Sequence, residues 1–140
     1  MPGWKSEGIK GLMEELDIQR DVIFLGFVTN EELCRFYNLA EVFVFPSFYE
    51  GFGYPILEAL ACGTAVVTSN VSACPEIASD AALTVDPYDP EKIAAAITRL
   101  MQDRGLKERL RHKALERARE FDPLKTARET LTVYQEVYKS

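Results

Sequence analysis

Short apolar segments alternate along the chain with longer segments in which apolar residues recur every three or four positions. The continuous apolar segments cover residues 22–26, 42–45, 65–68 and 82–85, and their length and flanking turn residues predict four strands. Helical spacing predicts helices over residues 6–16, 29–39, 55–62, 91–102, 104–120 and 124–138. Because helices and strands alternate, the chain is predicted to form an α/β fold with a largely parallel sheet flanked by helices.

Residue types at several predicted boundaries support these assignments. Thr29 and Glu32 have the spacing of a capping box at a helix start. Pro55 suits a first helical turn, and Gly63 suits the residue that ends the same helix. The segment 42–45 is apolar throughout, as expected of a strand that helices cover on both faces.

Size and charge restrict the class of protein. The 140 residues, 47% of them hydrophobic, suffice for one ordinary core, so we predict a single domain over residues 1–140. The net charge of −6 disfavours nucleic acid as a partner. No apolar run is long enough for a membrane span and the first residues lack a signal-peptide core, which predicts a cytoplasmic protein. Cys34, Cys62 and Cys74 lack metal-ligand spacing and are interpreted as reduced, mostly core residues.

Two glutamates flank a glycine-containing turn between the second and third predicted strands. Glu58 is the only charged residue from position 51 to position 75 and lies in an otherwise apolar helix. A carboxylate among apolar side chains is unfavourable unless it is hydrogen bonded. Glu58 is therefore expected to reach solvent or to meet hydroxyl or amide donors, such as those of a bound polyol. Glu50 stands directly before the turn.

The turn itself has the features of an anion site. It follows a strand at the carboxyl edge of the sheet, where open parallel sheets bind ligands. Gly51 and Gly53 allow close approach to the backbone, and the N–H groups of Phe52, Gly53 and Tyr54 are predicted to be unpaired donors at a helix start. A nucleoside diphosphate sugar, with hydroxyls on both sides of a diphosphate, fits this order of groups. An ordinary helix start, with a glycine pair and an acid that offsets the dipole, explains the same residues and stays open.

Residues 45–59, with the sequence FPSFYEGFGYPILEA, resemble the donor-binding signature of the retaining glycosyltransferases of family 4. The similarity extends upstream to residues 22–28 and downstream to residues 63–67, 75–77 and 86–87, so it covers nearly the whole chain. Members of this family have the GT-B fold of two facing Rossmann-like domains. The resemblance therefore implies a Rossmann-like parallel sheet flanked by helices, as part of a C-terminal GT-B domain that lacks its first segments.

The resemblance also implies a role for each residue of the motif. Glu50 would be the catalytic residue, lying beside the donor sugar and holding its hydroxyls near the reacting carbon. Glu58 would hold the ribose hydroxyls, and Val28 would meet the base. The other implied donor-binding residues are Gly51, Phe52, Gly53 and Tyr54, with backbone groups for sugar hydroxyls or the distal phosphate, and Ile56 and Leu57, which would flank the diphosphate and ribose.

Such enzymes retain the anomeric configuration and usually need no metal, because the helix dipole and cationic side chains stabilise the leaving diphosphate. No metal or other cofactor is therefore expected. The implied function is transfer of a hexose, from a donor such as a UDP-hexose or GDP-mannose, to a glycan or lipid-linked acceptor during polysaccharide assembly. The family's basic pair and its N-terminal acceptor domain are expected to be missing. The chain alone is therefore expected to be inactive.

Two other classes stay open as alternatives. One is a non-catalytic nucleotide-binding or interaction module derived from the same fold, and the other is a sugar-nucleotide epimerase of similar fold. The spacing of Glu50 and Glu58 around the glycine turn favours the transferase over the epimerase. The expected absence of neighbouring strands leaves unpaired sheet edges that a homo-oligomer could cover.

The remaining candidates have ordinary structural interpretations. The predicted helix over residues 104–120 carries seven basic residues against three glutamates; a peripheral contact with anionic lipid is one interpretation, and a solvated face with local ion pairs is favoured. His112, the one histidine, has no catalytic partner recognisable in the sequence. Asp86 and Asp89 are interpreted as turn and cap residues, and Trp4 and Tyr49 as packing residues.

Overall fold

The computed structural model describes residues 7–139. Backbone contacts divide the chain into two compact units, residues 1–33 and residues 34–140. The single domain over residues 1–140 stays a prediction. The predicted helix start at Ser6 and the packing role predicted for Trp4 lie outside the described residues.

The first unit consists of one helix, an irregular segment and the start of a second helix. Helix α1 covers Glu7–Glu15, and helix α2 covers Asn30–Leu39 and so continues into the second unit. The predicted capping box is confirmed: the Glu32 carboxylate accepts from the Thr29 N–H at 2.8 Å, and the Thr29 hydroxyl accepts from the Glu32 N–H at 3.3 Å. These reciprocal bonds satisfy N–H groups that a helix start leaves unpaired, which fixes where α2 begins.

The strand predicted for residues 22–26 is wrong. No residue of this segment forms a β-bridge, although its Val, Ile, Phe and Leu side chains favour a strand. A strand needs partners for its backbone N–H and C=O groups, and within the described chain no neighbouring strand supplies them. Composition alone therefore did not suffice at this position.

The second unit contains a three-stranded parallel sheet, which confirms the predicted parallel arrangement. Strands β1 (Phe43–Phe45), β2 (Val66–Ser69) and β3 (Leu83–Val85) lie in the order β1-β2-β3. Val44 is the partner of Val67, and Thr68 is the partner of Thr84. Each strand begins and ends within one residue of the position that the apolar segments predict.

Helices connect and cover the strands. Helix α3 (Tyr54–Ala61) lies between β1 and β2, and α4 (Cys74–Ala78) lies between β2 and β3. The helices α5 (Pro90–Gln102), α6 (Arg104–Ala118) and α7 (Pro123–Lys139) follow β3. Sequence periodicity missed α4, because five residues are too few to show a helical repeat. The cap predicted at Asp89 is confirmed, since its side chain accepts from the Lys92 N–H at 3.0 Å.

Strand β2 lies at the centre of the core. All four of its residues are buried, so other elements cover both of its faces. Val67 belongs to a cluster with residues of α5 and α6, and the buried members of this cluster are Ala65, Val67, Ala96, Leu100, Leu106 and Leu110. Side chains alternate along a strand, so Val66 points to the opposite face. Helix α3 contacts β2 as well and buries Ile56, Ala59 and Leu60.

Basic residues of α6 are largely engaged by other parts of the second unit. Lys107 pairs with Glu41, and Lys113 pairs with Asp80. Further contacts to backbone carbonyls run from Arg111 to Gly63 and from Arg117 to Glu76 and Ile77. This arrangement supports the favoured interpretation of local ion pairs. Within residues 7–139, no helix is both long and apolar enough to cross a membrane.

The three cysteines differ in burial. Cys74 is fully buried, Cys62 is half-buried and Cys34 is exposed. The interpretation as core residues is thus right for Cys74 and wrong for Cys34, whose side chain is exposed on α2. All three are free thiols.

Leu100→Ala tests the core around β2. Leu100 is fully buried in the cluster that Val67 joins, so its truncation is expected to lower the free energy of unfolding by about 2–5 kcal/mol. Leu131→Ala, at an exposed position of α7, is the matched control and is expected to cost less than about 0.5 kcal/mol. Urea denaturation followed by circular dichroism measures both. Equal losses in the two variants would contradict the described core.

Candidate functional site

Two hydroxyls at the end of β2 hold the loop that leaves β1. The Thr68 hydroxyl donates to the Phe45 carbonyl at 2.9 Å, and the Ser69 hydroxyl donates to the Ser47 carbonyl at 2.5 Å. Both Thr68 and Ser69 are fully buried, and buried hydroxyls need hydrogen-bond partners. The loop from residue 46 to residue 53 therefore starts along a fixed path beside β2.

Glu50 is held within this loop by two serines. Its carboxylate oxygen Oε1 accepts from the Ser47 hydroxyl at 2.9 Å. The Ser72 hydroxyl accepts from the Glu50 N–H at 3.1 Å and donates to the Glu50 carbonyl at 2.7 Å. Ser72 itself has a φ of 58°, an uncommon conformation for a residue with a side chain. The second carboxylate oxygen of Glu50, Oε2, has no hydrogen-bond donor among the described residues.

Glu58 lies on α3 and is exposed to solvent. Its carboxylate oxygen Oε2 accepts from the Tyr37 hydroxyl at 3.1 Å. The expectation that this carboxylate reaches solvent or meets a hydroxyl donor is confirmed, and both conditions hold. Oxygen Oε1 of Glu58 has no donor within the part of the chain that the structure describes, so it is available to a ligand.

Tyr37 is a buried residue of α2 that faces α3. Its carbonyl accepts from the Thr64 hydroxyl at 2.7 Å, and its ring meets the edge of Phe43 with 5.1 Å between ring centroids. Burial, followed by the hydrogen bond and the negative charge of Glu58, raises the pKa of the Tyr37 hydroxyl well above its usual value. Tyr37 therefore stays protonated and acts as a donor to Glu58.

Helix α3 begins at a glycine in a left-handed conformation. Gly53 has φ 101° and ψ 46°, and no side chain caps the helix. The Gly53 carbonyl accepts from the N–H groups of Ile56 and Leu57 at 3.0 and 3.2 Å. The N–H groups of Phe52, Gly53 and Tyr54 have no acceptor in residues 7–139 and confirm the predicted unpaired donors, which are suited to an anion.

Aromatic rings at the start of α3 pack against a ring that lies just before α7. Phe52 packs on Tyr54 with 4.7 Å between centroids and meets the edge of Phe121 at 5.9 Å. A groove of about 460 Å³ runs between these rings and the start of α7, with Leu57 and Lys125 in its lining. The groove includes neither Glu50 nor Glu58. A second cavity of about 520 Å³, beside β3 and α5, contains none of the predicted site residues.

Most of the predicted site residues lie in one continuous segment, which the structure folds into a loop and the start of α3. Residues 50–54 form the loop and helix start, and Leu57 and Glu58 follow on α3. Ile56 is fully buried and its N–H donates to the Gly53 carbonyl, so its contact with the donor stays a prediction. Val28 belongs to the first unit, and its contact with a base stays a prediction.

The ligand roles inferred for all these residues likewise stay predictions. Within the described part of the chain, no group of three or more His, Cys, Asp or Glu side chains could hold a metal ion. The expectation of a reaction without metal or cofactor is untouched by this finding. His112 borders a pocket of about 210 Å³ with Cys62 and Arg111, and among residues 7–139 no carboxylate accepts a hydrogen bond from its ring.

Sequence reasoning missed the residues that position the two carboxylates. Ser47 lies inside the 45–59 motif, and its spacing of three residues from Glu50 is the one signal that could have identified it. Tyr37 and Ser72 are brought to Glu58 and Glu50 only by the fold. No local pattern in the sequence marks either of them.

Comparison with known protein families gives one match that covers most of the chain. Residues 3–120 match the family model described as "Glycosyl transferases group 1". The match includes the 45–59 segment, the three strands of the sheet and the helices α1 to α6.

Two relatives of known name are each longer than this chain. The O-antigen chain mannosyltransferase B of Escherichia coli is 39% identical over 133 residues, which is 95% of this chain and 35% of that protein. The D-inositol 3-phosphate glycosyltransferase of a Nocardioides species is 39% identical over 116 residues, 81% of this chain and 25% of that protein. The chain thus spans about a third or less of the length of these relatives.

Two solved structures likewise superpose on this chain over part of their own length. A sucrose-phosphate synthase from Thermosynechococcus elongatus superposes with a TM-score of 0.86 and 32% identity, over 94% of this chain and 34% of that one. The C-terminal domain of a glycosyl transferase group 1 family protein, LpcC, from Francisella tularensis has a TM-score of 0.73 and 26% identity, over 82% of this chain and 60% of that one. The similarity confirms the Rossmann-like α/β fold.

Gly53→Ala tests the conformation of the helix start. At φ 101° the backbone of a residue with a Cβ atom is strained, and the alanine Cβ would lie 3.2 Å from Cδ1 of Ile56. A loss of roughly 1–2 kcal/mol in unfolding free energy is therefore expected. Gly51→Ala is the matched control, because a Cβ there would meet nothing within 4 Å and φ is not positive. Denaturant titration of both variants gives the comparison. A Gly53 variant as stable as the Gly51 variant would rule out the described turn.

Tyr37→Phe tests the raised pKa of the tyrosine hydroxyl. A folded-state pKa above the unfolded value contributes stability that is complete below about pH 10 and is lost as the pH rises further. The wild-type chain should therefore lose stability more steeply than Tyr37→Phe above about pH 10. Urea midpoints measured at neutral and alkaline pH give the two slopes. Parallel curves would show that Tyr37 titrates normally.

Proposed function

The chain belongs to the group 1 glycosyltransferases, and on that premise we propose that it is the donor-binding part of an enzyme that transfers a hexose from a nucleoside diphosphate sugar with retention of configuration. The acceptor would be a glycan or a lipid-linked sugar. The rest of such an enzyme would supply the acceptor site. The 140-residue chain by itself would bind the donor without completing the transfer.

One observation supports this proposal most directly: both carboxylates keep one oxygen on a protein hydroxyl and present the other. Ser47 engages Oε1 of Glu50, and Tyr37 engages Oε2 of Glu58. A carboxylate fixed in this way is prepared to accept from a further hydroxyl. A nucleotide sugar carries vicinal hydroxyls at both of its ends, on the hexose and on the ribose.

The helix start between these acids is suited to the diphosphate. The unpaired N–H groups of Phe52, Gly53 and Tyr54 follow Glu50 in the chain and precede Glu58. In the proposed arrangement Glu50 accepts from the hexose hydroxyls, the N–H groups donate to phosphate oxygens, and Glu58 accepts from the ribose. Direct contact of either acid with phosphate is disfavoured, because like charges repel.

In the proposed chemistry, this part of the protein binds and orients the donor and stabilises charge. When the bond between the anomeric carbon and the diphosphate oxygen breaks, negative charge accumulates on the departing diphosphate. Backbone donors fixed at a helix start stabilise that charge without reorganisation. Glu50, as the proposed catalytic residue, holds the hexose so that its anomeric carbon faces the acceptor. Resident metal is not required in this scheme.

The relatives differ in the sugar that their names specify. Several are mannosyltransferases, while a neighbour of known structure is a sucrose-phosphate synthase. We propose mannose as the first hexose to test and leave the base to measurement, with UDP and GDP compared directly.

A non-catalytic binding module is the second candidate. The chain covers 35% of the mannosyltransferase relative and 34% of the sucrose-phosphate synthase, and this share is compatible with either candidate. Donor binding is common to both candidates. Transfer to an acceptor, assayed after addition of the acceptor-binding part from a relative, separates the enzyme from the module.

Calorimetric titration with UDP, GDP and their hexose conjugates tests the proposed donor site. The chain should bind one base in preference to the other. Glu58→Ala should weaken that binding by about 1.5–3 kcal/mol, roughly 10- to 150-fold in Kd, because it removes charged hydrogen bonds to the ribose. Glu116→Ala is the matched control, since Glu116 is an exposed glutamate of α6. Its affinity should equal that of the wild type.

Two results would contradict the donor-site proposal. One is a folded wild-type chain, verified by circular dichroism, that binds none of the nucleotides at millimolar concentration. The other is equal weakening in Glu58→Ala and Glu116→Ala, which would indicate general electrostatics and no specific role for Glu58.

A further inference from the structure

Two thiols lie in contact next to the carboxylate of Glu58. The sulfur atoms of Cys34 and Cys62 are 3.8 Å apart. Cys34 lies on α2, three residues before Tyr37, and Cys62 follows the end of α3, four residues after Glu58. The thiol contact and the Tyr37–Glu58 hydrogen bond therefore connect the same two helices at neighbouring positions.

The geometry points to a modification site: we propose that Cys34 and Cys62 form a reversible disulfide when the protein meets a peroxide. A disulfide needs the sulfur atoms at about 2.05 Å, so they must approach by less than 2 Å from the distance in the structure. The two residues are far apart in the sequence, and the fold alone brings them together. Cys74 is fully buried and takes no part.

The two cysteines are suited to different roles in the reaction. Cys34 is exposed and open to an oxidant, and the Asn38 side-chain amide donates toward its sulfur at 3.6 Å. Burial and the nearby Cys34 sulfur raise the pKa of the Cys62 thiol to about 11, which disfavours its thiolate. Cys34 is therefore the first to react, and Cys62 resolves the product.

The electrons and atoms balance with hydrogen peroxide as the oxidant. The Cys34 thiolate attacks one peroxide oxygen, the O–O bond breaks, and a sulfenic acid and water form once a proton is taken up. The Cys62 sulfur then attacks the Cys34 sulfur and loses its proton, and a second water leaves as the S–S bond forms. Two thiols are oxidised and one peroxide is reduced to two waters. A dithiol reductant reverses the reaction by exchange.

The crosslink would act on the Tyr37–Glu58 pair because of how the helices are anchored. Ile56, Ala59 and Leu60 are fully buried and fix α3 in the core, whereas α2 buries one residue, Tyr37, and is held less tightly. Closure of the sulfur pair therefore draws α2 toward α3. Tyr37 moves with α2 and shifts the Glu58 carboxylate that it contacts, so Oε1 leaves the position proposed for accepting from a ribose hydroxyl. This coupling rests on the proposed donor role of Glu58.

Mass spectrometry of the 140-residue chain tests the disulfide itself. Trypsin leaves Cys62 and Cys74 in one peptide, because no Lys or Arg lies between residues 36 and 91. The Cys74→Ala variant removes that ambiguity. After hydrogen peroxide, this variant should lose two hydrogen atoms, resist alkylation by iodoacetamide and yield a peptide pair that links Cys34 to Cys62. Dithiothreitol should restore both free thiols.

The control is Cys34→Ser in the same Cys74→Ala background. Position 34 is exposed, so the fold should be unchanged by circular dichroism, and the mass loss and the peptide pair should disappear. In the chain with both thiols, the disulfide should also raise the Tm, because it restricts the unfolded state, and dithiothreitol should reverse the rise. Free alkylation of both thiols after peroxide, or oxygen addition without a crosslink, would overturn the proposal.

Titration with the preferred nucleotide tests the coupling in the same samples. The oxidised Cys74→Ala protein should bind several-fold more weakly than its reduced form, while Cys34→Ser should bind equally before and after peroxide. Equal affinity of the crosslinked and reduced forms would overturn the coupling. The crosslink is detected by mass alone, so a protein that forms it and binds no nucleotide in either state would contradict the proposed function and not the disulfide.

Discussion

The buried strand β2 is the constraint on which the rest of the second unit depends. It pairs with both other strands and is covered on both faces, so its polar end cannot reach water. Thr68 and Ser69 must then find partners within the protein, and the carbonyls of Phe45 and Ser47 are those partners. A requirement of the core thereby determines the path of the loop that carries the candidate site.

The candidate site follows from that path by short steps. With the Ser47 carbonyl held by β2, the Ser47 hydroxyl is placed to donate to Glu50. The turn at Gly53 starts α3 and leaves the N–H groups of residues 52–54 without an acceptor among the described residues. The apolar face of α3 enters the core, which leaves Glu58 on the outer face beside Tyr37. Core packing and site geometry are therefore two consequences of one arrangement.

Sequence patterns predicted those features whose cause is local. The capping box at Thr29, the helix between Pro55 and Gly63, and three strand positions depend on residues a few places apart. The failures have non-local causes. Residues 22–26 have the side chains of a strand and lack a partner strand in the described chain, and Tyr37 reaches Glu58 through packing between helices. Of the two serines that hold Glu50, Ser47 is near it in sequence and has a local cause. Ser72 is distant in sequence, and only the fold brings it to Glu50.

The acidic charge of the chain bears on how an anionic ligand could be bound. A net charge of −6 repels a diphosphate at long range. The basic side chains of Lys107, Arg111, Lys113 and Arg117 on α6 are already held by carboxylates or backbone carbonyls of the second unit. Binding at the helix start would then depend on short-range, uncharged N–H donors, which physiological salt screens little because they act within hydrogen-bond distance. Recognition of this kind selects a ligand by its shape and by the order of its hydrogen-bonding groups. A ligand with hydroxyls on either side of a phosphate group matches the order of acids and N–H groups in the candidate site.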